Sequence, residues 1–327
     1  SSDVCSSDLA TALRVIQEQL EAIPNADGRT RVALLGVSGA LHFFPMRPGE
    51  GARLLVVPVE PGAAEPFLPA APDELLVRVA ECRAQLDALL GGAAGLFAPG
   101  AAQAPALGPG LRAAHLLLRG TGGKIVAVLA SRPARHEGAL RDRMDAALLG
   151  GPRESSLLVP EQPWYKLFAT EAVKDQVSVD LFVGPPAQAF LDVATLGALA
   201  TYTGGRVHAH AGFSGARAED VEQLTSELRA FLAQAHGWEA VLRVRASQGL
   251  ALAAYHGAFF LRQTDLLALP AAERLAAFFE RFIDALRARP LDDRLMHRPA
   301  AGAVALADED AQQHRLLRQL DVARHHQ

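Results

Sequence analysis

The pentad Gly120-Thr121-Gly122-Gly123-Lys124 has the composition of a phosphate-binding loop. Such a loop needs G-x-x-x-x-G-K-[ST] after a strand, so that backbone N–H groups cradle the phosphates and the lysine reaches their oxygens. Here Ile125 stands where Ser or Thr is required, and an apolar strand follows the lysine instead of preceding the glycines. The pentad therefore reads as a turn into that strand. His208 and His210 lie two apart on one strand and face the same side, the spacing of a metal-ligand pair, but no third ligand stands out, and a structural or exposed role is the plainer reading. Neither Ser38 nor Ser131 lies in a G-x-S-x-G elbow, and no G-x-G-x-x-G follows a strand, which leaves hydrolase and dinucleotide chemistry without their parts. Arg31, Arg243 and Arg245 offer a different chemistry, since guanidinium forks pair bidentately with carboxylates. Against that, Arg243 and Arg245 alternate as on any solvated sheet face, and Arg31 competes with plain surface charge.

Composition bounds what these residues can serve. A chain of 327 residues, half of them hydrophobic, buries a large core in one big domain or two. No apolar run approaches the roughly 20 residues that span a bilayer, and no secretory leader opens the chain, so a soluble, non-secreted protein is expected. A net charge of -4 gives no blanket attraction to nucleic acid or anionic lipid. Two cysteines, Cys5 and Cys82, form neither a zinc site nor a disulfide framework, and a reducing compartment fits best.

The elements that position these residues are organised around Ile125 to Ala130, an unbroken run of small and branched apolar residues opened by glycines. It reads as a strand buried on both faces at the centre of a parallel sheet. Helical patterns at Leu111 to Leu118 and Trp164 to Lys174 flank it, and Val177 to Val183 repeats the strand signal, the alternation of a doubly wound α/β layer. Ahead of it come a helix through Leu13, Ile16, Leu20 and Ile23, then a hairpin of Arg31 to Val37 against Leu41 to Phe44, with Arg53 to Val57 extending its edge. A helix capped by Asp73 carries Leu75, Leu76, Val79, Leu86, Leu89 and Leu90. After it come a helix from about Leu191 to Tyr202 stopped by Gly204-Gly205, a strand from Arg206 to Ala211, and a helix from Asp220 to His236. From Trp238 strand patterns follow one another without helices, so a second, antiparallel module begins near residue 238.

Seven phrases then occur in order: Arg29-Thr30-Arg31-Val32, Leu107-Gly108-Pro109-Gly110-Leu111, Gly122-Gly123-Lys124, Val179-Asp180-Leu181-Phe182, Tyr202-Thr203-Gly204-Gly205, Gly237-Trp238-Glu239-Ala240-Val241 and His256-Gly257-Ala258-Phe259-Phe260-Leu261-Arg262. Together they resemble the cargo-selecting subunit of the inner COPII coat, the Sec twenty-four family, over residues 10 to 270. The resemblance implies an α/β fold, a von Willebrand A-like doubly wound trunk over 10–237, followed over 238–270 by the start of an antiparallel β-sandwich. It implies a non-enzymatic protein that pairs with its sister subunit, the Sec twenty-three family. It implies cytoplasmic residence, peripheral on endoplasmic reticulum membrane and COPII vesicles after recruitment by a small GTPase, and capture of sorting signals on cargo tails, with no role for nucleic acid. Arg31 then matches part of a trunk cargo site, and Arg243 and Arg245 are weaker cargo-binding candidates.

Departures from the family pattern carry expectations of their own. Ser1 to Leu9, with its repeated Ser-Ser-Asp, reads as a non-native remnant standing where the family has its first strand, so a central strand is expected to be missing. The two Cys-x-x-Cys pairs of the family's zinc finger are absent, which leaves no cofactor in this fragment, and residues 271–327 read as a helix and then a low-information tail unlike the family. Related A domains hold Mg²⁺ through a Ser/Thr/Asp cluster, yet Ala130-Ser131-Arg132 closes the central strand without a carboxylate, so no metal is expected. The alternative from another class is an A-domain-like or nucleotide-linked enzyme. Fold alone would carry that reading, and a metal- or nucleotide-dependent rise in melting temperature would reveal it.

Overall fold

In the computed structural model, the residues described are 2–25, 27–51, 53–60, 62, 65–96, 104–143, 150–185, 190–234, 240–243, 260–263 and 266–269. The chain opens with α1 (Ser2–Gln19), which ends in a 3-10 turn over Leu20–Ala22. Neither glycine nor proline occurs before Pro24, so nothing in the backbone stops the helix from running back through the Ser-Ser-Asp segment. Two sides of α1 are apolar. Leu13, Ile16 and Leu20 pack with Val77, Cys82 and Leu86, whereas Ala12 and Val15 join a cluster with Phe182, Leu228 and Phe231.

Strands β1 (Arg31–Val32), β2 (Leu35–Val37), β3 (Ala40–Phe43) and β4 (Leu55–Pro58) follow; β2, β3 and β4 form an antiparallel sheet in that order, while the strand expected over Arg31 to Val37 is split and its first part, β1, lies outside that sheet. The next helix differs from its sequence reading. Pro72 opens a four-residue α2 (Pro72–Leu75) with Ala71 as N-cap, which places Asp73 inside the first turn and not at the cap. Leu76 then leaves helical space, and β5 (Val77–Arg78) pairs antiparallel with β1 before α3 (Val79–Leu96) begins. The apolar period runs unbroken through this stretch. The tertiary hydrogen bonds of the β1–β5 ladder override it.

The second half alternates α4 (Leu107–Leu118), β6 (Gly123–Leu129), α5 (Trp164–Lys174), β7 (Val177–Val183), α6 (Val193–Thr203), β8 (Val207–Ala209) and α7 (Ala218–Leu232). Strands β6, β7 and β8 are parallel neighbours in that order. On one face Val177, Val179, Leu181 and Val183 pack with Leu111 of α4, Phe168 of α5 and Leu199 of α6. On the other, Phe182 packs with α1 and α7. Helices on both faces of parallel strands make the layer doubly wound. Gly204 at φ +76 supplies the left-handed stop of α6, and Gly205 lets β7 approach, because a Cβ there would lie 1.9 Å from the Val179 carbonyl oxygen.

The strand buried on both faces is β7, not β6. Every residue of β7 is buried, while Val126 and Val128 of β6 are 39% and 37% exposed. Gly123 donates its N–H to Gln176 and Leu129 accepts from Gly184, so the odd-numbered residues of β6 bond towards β7. Backbone groups of Val126 and Val128 therefore point to the opposite edge. Among the described residues no strand pairs there. Helix α4 instead straddles the interval, with Leu107 and Leu111 in the β6–β7 core and Ala113 and Leu117 against Leu41 and Phe43 of the β2–β4 sheet. Its Gly-Pro-Gly start begins four residues before the periodicity suggested. A Cβ on Gly110 would lie 2.6 Å from Val37, and one on Gly108 2.1 Å from the Glu137 carbonyl oxygen.

Strands β9 (Ala240–Arg243), β10 (Phe260–Gln263) and β11 (Leu266–Leu269) form a separate antiparallel sheet in the order β10-β11-β9. Strand-like residues at 249–259 and the tail at 271–327 lie outside the described residues. Among the described residues no helix is long and apolar enough to cross a membrane.

Candidate functional site

The β1–β5 ladder sets Arg31 directly opposite Arg78, with Val32 opposite Val77. Around this pair opens a cleft of about 240 Å³. Met46, Val77 and Cys82 form a buried apolar base beneath it, and the exposed lining is mainly polar. Its rim is charged, with Arg31 Nη1 lying 3.3 Å from Asp73 Oδ1 and Arg78 Nη1 lying 2.8 Å from Glu81 Oε1. The Asp73 side chain is 88% exposed against 40% for Arg31, so the partner that holds Arg31 is loosely placed and readily exchanged for another carboxylate. Beside the cleft, Glu74 takes Arg47 at 2.7 Å and Arg53 at 3.4 Å, and the Arg47 hydrogen bond holds its carboxyl below the usual range. Met46 is fixed by its N–H donating to the Glu74 carbonyl at 2.8 Å. An amphipathic cleft with a carboxylate-pairing rim can hold a peptide bearing an acidic group beside an apolar side chain.

Among the described residues catalysis has no comparable assembly. Burial pushes the Cys82 thiol pKa up, away from the thiolate a nucleophile needs. Ser38 Oγ lies 2.9 Å from His42 Nε2, but the same oxygen accepts the Ala40 N–H at 3.2 Å and serves to close the β2–β3 turn. Lys124 turns inward from the glycine turn, with Nζ 3.3 Å from the buried Asp180 carboxylate and 4.4 Å from the Phe231 ring centroid, away from any phosphate position. His208 and His210 both face Glu227, His208 Nδ1 hydrogen-bonding it at 2.9 Å and His210 Nε2 lying 3.4 Å away, so their nearest polar partner is a carboxylate. Among the described residues no three His, Cys, Asp or Glu side chains are grouped to hold a metal.

Of the arginines singled out in the sequence, Arg31 lines the cleft. Arg243 ends β9 opposite Leu266, in the separate antiparallel sheet, and does not line it; Arg245 lies outside the described residues. Arg78 was missed, because a helical period ran through it. The signal available was Val77-Arg78, a β-branched residue and a charge following Pro72 by a single helical turn.

Comparison with known proteins places this geometry in a family. A family model described as the Sec23/Sec24 trunk domain matches residues 1–232. Protein transport protein sec24 of Schizosaccharomyces pombe is 43% identical over 273 residues, covering 83% of this chain and 29% of that protein. The Neurospora crassa protein of the same name is 41% identical over 271 residues, covering 81% and 28%. The crystal structure of the human COPII-coat protein Sec24c superposes with a TM-score of 0.72 at 28% identity, over 83% of this chain and 36% of that one. This chain thus spans less than a third of the length of these two curated relatives. With the trunk model covering most of its described residues and Sec24 proteins at about 40% identity, the chain belongs to the Sec23/Sec24 family, on its Sec24 side.

Proposed function

We propose that this chain is the trunk part of a non-enzymatic COPII coat subunit, one that selects cargo for vesicles budding between the endoplasmic reticulum and the Golgi. In this reading it pairs with a sister subunit of the Sec23 type, works on the cytoplasmic surface of the membrane together with the coat's small GTPase, and needs no cofactor. Family membership and the transport names of the relatives support the coat role. The observation that carries cargo selection is the Arg31–Arg78 pair over the buried apolar base of Met46, Val77 and Cys82. Two guanidinium groups a strand spacing apart suit an acidic sorting signal better than either alone, because each can take one carboxylate.

Fluorescence anisotropy with acidic peptides carrying one apolar residue tests the reading. Arg31→Glu and Arg78→Glu should each weaken binding about tenfold or more while shifting stability by under about 1 kcal/mol, since both ion pairs are exposed. Unchanged binding by Arg31→Glu would sink the cargo assignment. Co-purification with a Sec23-type subunit tests the coat role separately.

A further inference from the structure

The two imidazoles that β8 and the following turn present to α7 share a single carboxylate. His208 Nδ1 and His210 Nε2 lie 2.9 and 3.4 Å from the same oxygen, Oε2 of Glu227, whose other oxygen accepts from Gln223 at 3.0 Å. Aromatic rings close the site. Phe182 stacks on His208 at 4.4 Å between centroids and 5° between planes, Phe231 meets both rings edge-on, and Phe213 lies 6.2 Å from His210. His210 is 8% exposed, so a charge placed on it is largely removed from water.

We propose that the His208–Glu227–His210 cluster is a proton-operated latch that holds α7 on the sheet at neutral pH and loosens it on acidification. One carboxylate hydrogen-bonds His208 and lies 3.4 Å from His210 Nε2, which is buried without a hydrogen bond among the described residues. A first added proton is compensated by Glu227; a second would leave an uncompensated positive charge among aromatic rings. Other charges facing the cluster relieve it only in part, since Asp220 favours a charged His210 but does not offset burial. Lys124 of β6, on the far side of Phe231, is already matched by Asp180 of β7, and Asp220 of α7 is engaged by Arg217 at 2.6 Å and by the Ser214 N–H at 2.8 Å. From α1 the residues in this core are Ala12, Val15 and Ile16, which carry no charge.

The direction follows from the shifts. Burial, which outweighs the pull of Glu227, holds the His210 pKa below its ordinary 6.5, so the docked helix binds fewer protons than the released one. At Glu227 burial raises the carboxyl pKa, but the bonds from Gln223 and His208 together with the charges of His210 and His208 outweigh it and hold the carboxyl below its ordinary 4.5, which acts in the same sense. Docking is thus fully supported above about pH 6.5 and weakens as pH falls through that value.

Amide hydrogen exchange on the full chain tests the latch, comparing Leu224, Leu228 and Phe231 of α7 with Leu196 and Leu199 of α6 at pH 7.5 and 5.5 after correction for intrinsic rates. Protection of α7 should fall on the order of tenfold more than that of α6, one extra proton taken up per opening giving tenfold per pH unit below the ordinary histidine value. His210→Asn should remove most of this difference, and Glu227→Gln should lower α7 protection already at pH 7.5. Equal pH dependence of the two helices, full dependence retained in His210→Asn, or an α7 unprotected at pH 7.5 would overturn the proposal.

Discussion

Arg143 Nη2 lies 2.6 Å from Asp192 Oδ1, with the guanidinium side chain 15% and the carboxylate 2% exposed. Asp192 also caps α6, accepting the Thr195 N–H at 3.1 Å and the Thr195 hydroxyl at 2.6 Å, while Arg143 donates to the carbonyls of Leu157 and Val159. One side chain thus ties the long connection between β6 and α5 to the start of the next helix. Removing one partner of a buried pair strands the other's charge, so Arg143→Met should cost about 3–5 kcal/mol in urea unfolding. Limited proteolysis should cut between residues 132 and 162 in the variant first. The double change Arg143→Met with Asp192→Asn should recover part of the loss, because no ion is then left behind.

Gly205 tests close packing between a chain turn and a strand. A methyl at 205 would meet the Val179 carbonyl oxygen at 1.9 Å and its carbon at 2.6 Å, both backbone atoms of the fully buried β7. Gly205→Ala should therefore cost about 1–3 kcal/mol or more, read as a lowered denaturation midpoint with an unchanged slope. Gly92 is the matched control. It lies in α3 with nothing within 4 Å of a Cβ, and Gly92→Ala should stabilise by about 0.5–1 kcal/mol.

The open edge of β6 predicts behaviour in solution. Val126 and Val128 are exposed on a strand whose outer backbone groups have no neighbouring strand among the described residues. Unpaired strand edges recruit other chains. The isolated chain should therefore be marginally stable and self-associate, Val128→Lys should reduce the self-association, and an apolar six-residue strand added ahead of α1 should raise the melting temperature. Cooperative unfolding of the unaltered chain at about 5–15 kcal/mol, the ordinary range, would count against a missing strand.

Elements whose pattern and punctuation agree were legible in the sequence. Trp164–Lys174 and Val177–Val183 fall where periodicity and apolar runs put them, and Gly204 stops α6 where a left-handed residue was needed. What failed was decided by distant partners. Arg78 belongs to a strand only because Arg31 comes to pair with it, and α4 starts at Leu107 because Val37 and Glu137 admit only hydrogen at Gly110 and Gly108. The exposure of Val126 and Val128 was invisible for the same reason: a uniformly apolar strand reads as buried on both faces whether or not a neighbour lies beside it. Of the candidate site, Arg31 and its carboxylate-pairing chemistry were readable, but the cleft, which needs the β1–β5 ladder, was not.

Helix α4 packs on both the β2–β4 and the β6–β8 sheets, while α1 carries one apolar side to α3 and the other to α7. No backbone ladder joins the β2–β4 and β6–β8 sheets among the described residues, and side-chain packing through α4 links them. Side-chain packing yields more readily to small rotations than a hydrogen-bonded ladder does, and the β2–β4 half and the β6–β8 half are set up as two units of separate local stability. The Arg31 cleft, on the β1–β5 ladder, and the histidine latch both back onto α1, whose Ile16 packs in the cluster beneath the cleft and in the cluster under α7. Whatever loosens α7 should thus be felt at the cleft through that one helix.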